Sequence, residues 1–337
     1  MKKLPLIACL ILLTLVPVRV FSQRRPSGQI TVKLASMVPA NTPWGAALNR
    51  MASEWSAATN GEVRLQIYAN GTQGTESDVL QKLNMNALQA AVLTSFGLNR
   101  ITPEIMALSC PFLIRNDGEL TEVLKTIKPE IEAKINAQGY YPLALARGGW
   151  VRFFSKSPVL VPADLKRQKI GTDPQEPELA QVFKTIGYQT VPVEANRTLI
   201  ALNGGTIEAI YQSPIAAGGF QYFGVAKNMA SIYIAPFMGG IVINKRTWDQ
   251  IPAQHRTRLI EITKRIEREI EISLRQLEND AITTMQRHGL VINQVSPQQE
   301  ELWYRDMEQA VPALIGTTFD RDTYNKIEAI LRAYRSR

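Results

Sequence analysis

The sequence predicts an α/β fold, in which strands alternate with helices along the chain. Three stretches lead to this prediction. Residues 30–35 alternate apolar and polar side chains, as a strand with one buried face does. Residues 88–94 are mostly apolar, which is typical of a strand covered on both faces. Apolar residues recur at three- and four-residue spacing over residues 253–287, which predicts one long helix.

The other elements of the first hundred residues follow in order. Residues 43–58 place apolar side chains on one side of a helix, and the turn sequence Asn60-Gly61 ends that helix. Residues 63–68 alternate as a second strand, and a glycine-rich turn leads into a helix at 76–85. Alternating strands and helices favour a layered α/β architecture.

The predicted helix at 253–287 is unusually long, and His288-Gly289 ends it. At about 1.5 Å per residue it extends near 50 Å, which exceeds the width of one small lobe. A coiled-coil seam between two copies of the chain is one explanation of such a helix. A helix that spans two lobes is the other.

The N-terminus predicts a signal peptide over residues 1–22. Lys2 and Lys3 supply a short positive start, and residues 4–18 are mostly apolar. This apolar run is shorter than the roughly 20 residues that a membrane span needs. We therefore predict a periplasmic protein, with a lipid anchor through Cys9 or an uncleaved N-terminal anchor as the alternatives.

Composition argues against several classes of partner. Removal of the signal peptide leaves about 315 residues, enough for two domains with separate cores. Basic residues are interspersed with acidic ones, as over 264–269, which is typical of a solvated helix face. We therefore predict no nucleic-acid partner.

After removal of the signal peptide, Cys110 is the sole cysteine of the sequence. We therefore expect a buried, inert thiol and no intramolecular disulfide.

The residues offer no catalytic set. The two histidines, His255 and His288, fall at opposite ends of the long helix, too far apart to cooperate. No spacing of His, Cys, Asp and Glu suggests a metal site, and no glycine-rich motif has the spacing that cradles phosphates. We predict no catalytic residues, no metal and no cofactor. A secreted enzyme on a two-lobed α/β scaffold is kept as an alternative.

Residues 163–214 contain three motifs in succession, A-D-L-K-R-Q-K-I-G-T-D-P, T-I-G-Y-Q-T-V-P-V and A-L-N-G-G-T-I-E-A-I-Y-Q-S-P. Earlier in the chain come A-T-N-G-E-V-R-L-Q-I-Y-A-N-G-T-Q-G-T-E and S-C-P-F-L. Each motif is weak alone, but the ordered series resembles the periplasmic solute-binding proteins of TRAP transporters, the DctP type. The resemblance covers nearly all of residues 30–290.

The resemblance implies a two-lobed periplasmic-binding-protein fold, similar to type II, with the long helix crossing both lobes. Residues 23–150 and 237–278 are predicted to form the first lobe. Residues 151–236 and 279–337 are predicted to form the second. Ligands of such receptors lie in the cleft, at loops that follow the strand ends.

The resemblance also implies which residues contact the ligand. In most relatives the residue after K-I is an arginine that clamps the ligand carboxylate, and here Gly171 stands there. We therefore predict a ligand less polar than the usual carboxylates, apolar or uncharged. The predicted contact residues are Met37, Trp44, Ser95, Phe96, Arg152, Gly171, Asp173, Tyr211, Gln212 and Ser213.

Arg152 is the predicted substitute for the missing arginine. It lies in W-V-R-F-F-S and aligns with an arginine that some relatives use as a second ligand contact. Flanking aromatic residues would allow it to stack as a cation in the cleft. Arg147, five residues earlier, is the alternative if the strand register differs.

The implied partners are a small-molecule ligand and an ion-gradient-driven TRAP permease in the membrane. Some relatives also use a helical-repeat accessory protein. The competing hypothesis from a different class is a scaffold or sensor that binds nothing and dimerises through the long helix.

The substitution Gly171→Arg tests the reasoning about the missing arginine. If the rest of the pocket is family-like, the new guanidinium should create measurable affinity for carboxylates, because it offers two parallel donors. Isothermal titration with a panel of organic acids measures the gain. No gain for any acid would mean that the whole pocket differs from those of the relatives.

Overall fold

The computed structural model describes residues 28–174 and 177–337, so the predicted signal peptide and its anchoring alternatives lie outside the described residues. The strands are β1 Ile30–Ser36, β2 Val63–Tyr68, β3 Ala90–Thr94, β4 Tyr140–Ser155, β5 Lys169–Thr172, β6 Gln189–Pro192, β7 Ala209–Gln212, β8 Asn228–Ala230, β9 Ala235–Asn244 and β10 Val291–Asn293. The helices are α1 Pro43–Ala58, α2 Glu76–Asn84, α3 Ser95–Asn99, α4 Asp117–Ala137, α5 Pro162–Lys166, α6 Pro177–Thr185, α7 Thr198–Asn203, α8 Pro214–Gly219, α9 Lys245–Gln250, α10 Ala253–Arg287, α11 Pro297–Glu308, α12 Val311–Leu314 and α13 Arg321–Arg335. Short 3-10 helices span Pro103–Ser109, Ala195–Arg197 and Tyr222–Gly224.

Polar side chains fix where several helices begin. Thr42 Oγ1 accepts a hydrogen bond from Gly45 N at 3.2 Å, one residue before α1. Asn116 Oδ1 accepts from Glu119 N at 3.0 Å before α4. Each bond satisfies a backbone donor that the helix itself leaves without a partner.

The strands form two sheet regions that share one long strand. β1 pairs in parallel with β2 and β3, and β9 pairs antiparallel with β3. β5 pairs in parallel with β6 and β7, and β8 pairs in parallel with β10. β4 joins the two regions, because its first part pairs with β9 and its last residues pair with β7 and β8. The predicted two-lobed α/β architecture is confirmed.

Helix α10 packs on both lobes. Near its start, Leu259 and Ile266 share an apolar core with Trp55 of α1, and Trp55 Nε1 donates to Thr263 Oγ1 at 3.2 Å. Near its end, Met285 lies in a separate core with Phe154 of β4. The predicted cross-lobe helix is therefore confirmed, and its buried face is used within the chain.

The chain passes from one lobe to the other at a bulge in β4, between Arg147 and Trp150. Gly149 has φ +108° there, a conformation that residues with a Cβ rarely adopt. A Cβ on Gly149 would also lie 2.6 Å from Glu278 Oε1 of α10. The same oxygen accepts a hydrogen bond from Trp150 N at 2.8 Å. Glycine is thus needed for both the backbone conformation and the close approach of α10.

The C-terminal helices divide between the lobes. In α11, Asp306 pairs with Lys166 of α5 at 2.5 Å. In α13, Lys326 pairs with Glu130 of α4 at 2.6 Å, and Arg335 pairs with Glu119 at 2.8 Å. Residues 279–337 are predicted above to lie in the second lobe. From the ion pairs of Lys326 and Arg335 we propose instead that α13 belongs with the first lobe. The other boundaries stay predictions.

The pair Leu274→Ala and Ile272→Ala tests how much α10 contributes to stability. Leu274 is 1% exposed and Ile272, two residues earlier, is 84% exposed. Removing the buried side chain should lower the free energy of unfolding by about 2–5 kcal/mol. The exposed change should stay within about 0.5 kcal/mol of zero. Urea unfolding measures both, and equal losses would contradict the packing of α10.

Candidate functional site

A cavity of about 430 Å³ lies between the two lobes. That volume falls in the range of about 300–1,000 Å³ typical of small-molecule sites. Its wall includes residues that follow β1 and β3 in the first lobe, and residues at the ends of β5 and β7 in the second. The carboxyl ends of parallel strands therefore open into it, as in other open α/β sheets that bind ligands.

Nine of the ten residues predicted to contact the ligand line this cavity. They are Met37, Trp44, Ser95, Phe96, Gly171, Asp173, Tyr211, Gln212 and Ser213. Strand pairing brings them together from positions up to 176 residues apart in the chain. Contact between these residues and a ligand stays a prediction.

Arg152 does not line the cavity. Its neighbours Val151 and Phe153 do, and side chains alternate between the two faces of a strand, so Arg152 points to the other face of β4. Its Nη1 donates to Ser231 O at 3.0 Å, and its guanidinium lies 4.6 Å from the centre of the Tyr233 ring. The prediction stacked Arg152 on an aromatic ring inside the cleft, and the stacking occurs on the opposite side of the strand.

Arg147, the alternative arginine, does line the cavity. Its Nη1 donates to Asp117 Oδ1 at the start of α4, so its charge is already paired by the protein. The positive charge of Arg147 is thus already balanced by the carboxylate of Asp117 when the cavity holds no ligand.

Gly171 lies in β5, and the structure shows what occupies the place of a side chain there. A Cβ added at this position would lie 2.8 Å from Ile207 Cδ1 and 3.7 Å from Ile210 Cγ2. The backbone of Gly171 has an ordinary φ. An arginine would therefore require the flexible end of Ile207 to move, and no backbone change.

Glu76 also lines the cavity and is not among the ten residues predicted to contact the ligand. Its Oε1 accepts from Thr94 N at 2.6 Å, and its Oε2 accepts from Thr94 Oγ1 at 2.8 Å. These bonds tie the start of α2 to the end of β3, directly before α3 begins with Ser95 and Phe96. Burial raises the pKa of this carboxyl, and the charge of Asp173 adds to the rise. The sequence signal that could have identified this wall residue is the glutamate in the motif G-T-E-S-D.

Several polar wall residues are engaged in building the loops. Ser95 Oγ donates to Met238 O at 3.1 Å and accepts from Ser109 Oγ at 3.0 Å. Ser213 Oγ accepts from Ala216 N at 3.4 Å at the start of α8. Gln212 Oε1 accepts from Ser213 N at 3.0 Å. These contacts hold the strand ends in place around the cavity.

Much of the remaining wall is apolar or aromatic. Its large side chains include Trp44, Phe96, Phe153, Phe183, Ile215, Phe220, Phe237 and Ile241. Phe220 stacks on Tyr222 with ring centres 5.3 Å apart. Such a surface binds the apolar body of a ligand, while a few polar groups set its orientation.

No three His, Cys, Asp or Glu side chains within residues 28–174 and 177–337 are grouped so as to hold a metal ion. Across the same part of the chain, no helix is both long and apolar enough to cross a bilayer.

Cys110 is a buried free cysteine, and burial raises the pKa of its thiol.

Asp117 joins three elements beside the lobe crossover. Besides Arg147, its Oδ1 accepts from Trp150 Nε1 at 2.8 Å, and its Oδ2 accepts from Arg275 of α10 at 2.9 Å. Partial burial alone would raise the pKa of Asp117. The three hydrogen bonds outweigh it and hold the pKa below its ordinary value of 3.8.

Asp117→Asn should show how much stability this carboxylate contributes, and at which pH. Because the folded-state pKa is lowered, the contribution is present above the unfolded value of 3.8 and is lost as pH falls further. Urea unfolding of both proteins between about pH 7 and about pH 3 should give a difference that is largest at neutral pH and shrinks in acid. Asp280→Asn, an exposed change in α10, should show little difference throughout. If the difference in the free energy of unfolding between Asp117→Asn and the unchanged protein did not vary with pH, the ionic role of Asp117 would be contradicted.

The two lobes and the cavity between them define a two-lobed α/β architecture with an interlobe cleft. Residues 34–316 match the family model described as bacterial extracellular solute-binding protein, family 7, or DctP. The chain belongs to this family, which confirms the resemblance drawn from the sequence motifs.

Several curated relatives match at low identity. The chain is 24% identical over 204 residues to the 2,3-diketo-L-gulonate-binding periplasmic protein YiaO of Escherichia coli, a match covering 60% of this chain and 62% of that protein. Matches to two further relatives cover 34% and 58% of those proteins, so the chain spans less than two thirds of all three. It is 22% identical to the C4-dicarboxylate-binding periplasmic protein DctP of Vibrio cholerae, covering 82% of this chain and 83% of that protein.

Solved structures share the fold. The sugar acid binding protein DctPAm from Advenella mimigardefordensis, in complex with galactonate, superposes with a TM-score of 0.83 at 16% identity, over 90% of this chain and 98% of that one. A TRAP periplasmic solute-binding protein from Xanthobacter autotrophicus with bound β-D-galacturonate gives a TM-score of 0.78 at 21% identity, over 88% of this chain and 99% of that one.

Proposed function

We propose that this chain is the periplasmic solute-binding component of a TRAP transporter. It captures a small organic ligand between its lobes and delivers it to an ion-gradient-driven membrane permease, without catalysing a reaction. The observation that carries the proposal is the cavity of about 430 Å³ whose wall both lobes supply. Membership of the solute-binding family supports it.

Ligand binding would favour the closed arrangement of the lobes. A ligand shifts a conformational equilibrium only by the difference in its affinity for the two states. In this cavity, the wall at Met37 and Phe96 belongs to the first lobe, and the wall at Asp173 and Tyr211 belongs to the second. A ligand that contacts both walls gains contacts on closure, and the closed form then docks on the permease.

The ligand is proposed to be an organic molecule with a largely apolar body. Relatives bind C4-dicarboxylates and sugar acids by their names. The motif resemblance places Gly171 where most relatives are expected to carry an arginine, and this replacement stays a prediction. No side chain projects from Gly171, which lines the cavity beside Ile210, so the pocket has no carboxylate clamp at this position and its apolar and aromatic wall residues would contact the ligand instead. A helical-repeat accessory partner stays a prediction.

Native mass spectrometry of the protein purified from periplasm tests the proposed function. We expect a mass excess from a non-covalently bound small molecule, which disappears when the protein is unfolded. High-resolution analysis of the released compound identifies it, and added compound should raise the Tm of the stripped protein. A protein that carries nothing, and whose Tm no compound of a metabolite library raises, would contradict the proposal.

Lobe closure depends on a close contact between Gly219 at the end of α8 and Thr42 before α1. A Cβ on Gly219 would lie 2.6 Å from Thr42 Cγ2. Thr42 is held in place, since its Oγ1 donates to Pro39 O at 2.7 Å and accepts from Gly45 N. This edge of the cleft therefore has no room for another methyl group.

Gly219→Ala should consequently weaken ligand binding about tenfold, because forcing a methyl group into a packed contact costs about 1–3 kcal/mol. Gly224→Ala is the matched control, since a Cβ there meets nothing within 4 Å. Isothermal titration with the co-purified compound measures affinity, and urea unfolding of the ligand-free proteins checks stability. Equal affinities for the two variants would show that closure does not need this contact.

A further inference from the structure

The cavity continues beyond the strand ends into an apolar extension beside β5. The wall of this extension consists of side chains from α5, β5, α6 and α11 and from the residue before β6, namely Leu165, Ile170, Leu179, Phe183, Tyr188 and Met307. Apart from the half-buried Phe183, none of them is more than 7% exposed, so protein encloses this part of the cavity. Enclosed apolar cavities stay free of water and bind apolar groups.

The polar atoms around the extension have partners within the protein. Tyr188 Oη donates to Asp306 Oδ2 at 2.7 Å, and Asp306 Oδ1 accepts from Lys166 Nζ at 2.5 Å. Thr190 of β6, which is outside the cavity wall, donates through Oγ1 to Ala180 O at 3.2 Å. Tyr188 therefore offers a ligand the face of its ring and not its hydroxyl.

Thr172 is the exception at the mouth of the extension. It lies two residues after Ile170 in β5, so the two side chains point to the same face of the strand. A Cβ on Gly171, between them, would approach Ile207 on the other face. Thr172 lines the cavity and is 3% exposed, and its Oγ1 has no hydrogen-bond partner among the described residues. Buried hydroxyls nearly always have a partner, so this one calls for an explanation.

The wall is poorly suited to a carboxylate. Arg147 is the one basic side chain among the wall residues that the structure describes, and it already donates to Asp117. Burying a carboxylate is unfavourable unless a cation or several donors compensate its charge. A single hydroxyl is enough for an uncharged oxygen.

We propose that the ligand is an uncharged organic compound with one bulky apolar group and a carbonyl or hydroxyl oxygen. The apolar group, a ring or a branched chain, occupies the extension. Thr172 Oγ1 donates a hydrogen bond to the oxygen. This inference rests on the proposed solute-binding function and specifies its substrate class.

Matched probes separate the features of the proposed ligand. The uncharged probes with a bulky group are 3-phenylpropan-1-ol, 3-phenylpropanamide and 4-methylpentan-1-ol. Propan-1-ol and propanamide lack that group, and 3-phenylpropanoate and pentanedioate carry carboxylates. We expect at least one probe of the first set to raise the Tm of the ligand-stripped protein, and no probe of the other two sets to do so at the same concentration. The compound released from the purified protein should be uncharged at neutral pH.

Substitutions of threonine assign the hydrogen bond. Thr172→Val should weaken binding of the best probe about tenfold, and Thr172→Ser, which keeps the hydroxyl, should restore it. Because the hydroxyl lacks a protein partner, Thr172→Val should leave the ligand-free protein at least as stable to urea. Thr190→Val is the matched control, since it removes a hydroxyl that has a partner. It should lower stability to urea and leave probe affinity unchanged.

Enlarging a leucine tests the extension itself. Leu179→Phe should fill the extension and weaken binding of the best probe about tenfold or more, while the urea midpoint stays unchanged because the new ring has room. Leu202→Phe is the control, since Leu202 is 0% exposed and is not a wall residue. Its packed surroundings have no room for a larger side chain, so this variant should be less stable to urea. Equal losses of stability in the two variants would show that the extension cannot hold a ring.

The outcomes distinguish this inference from the proposed function. Carboxylate probes that raise the Tm when the uncharged ones do not, or a released compound that is ionised at neutral pH, would overturn the inference and leave solute binding intact. Probe binding that survives both Thr172→Val and Leu179→Phe would also overturn it. A protein that carries no compound, and whose Tm no compound raises, would count against both.

Discussion

The carboxylate of Glu278 sits against Gly149, where β4 leaves one lobe and enters the other. It accepts a hydrogen bond from Trp150 N, and its own burial raises the pKa of the carboxyl. The position of α10, the bulge in β4 and the cavity wall at Val151 and Phe153 all follow from this contact. If α10 approached β4 less closely, the bulge in β4 would lose its support and Trp150 N would lose its hydrogen-bond acceptor.

The elements that depend on local pattern were predictable from the sequence. The long helix was predicted at 253–287 and is found at Ala253–Arg287, and α1 and β2 also lie where the periodicity placed them. The spacing of apolar residues determines these elements, because side chains on the buried face recur every three to four residues in a helix and every second residue in a strand. The third strand is shorter than predicted, since it begins at Ala90.

Many residues of the cavity wall were predictable from the sequence, but the directions of their side chains were not. Motifs at the strand ends located most of the wall, because chain topology brings those ends to one edge. The face to which Arg152 points depends on a bulge a few residues earlier, and one extra residue reverses every later side chain. The pairing of Arg147 with Asp117 and the hydrogen bonds of Glu76 to Thr94 arise between segments that are separated in the chain. Contacts of this kind are not indicated by the sequence pattern around either residue.

The proposed return of α13 to the first lobe, supported by its ion pairs with α4, would limit how the two lobes can move. With that assignment, the chain passes between the lobes along β4, between β8 and β9, along α10, and again between α12 and α13. A pair of bodies joined by one strand could twist, slide or bend. Joined by several spans at once, they keep little more than a swing about one axis. The opening angle then becomes a single coordinate, and any partner that senses that angle on the outer surface also senses whether the cleft is filled.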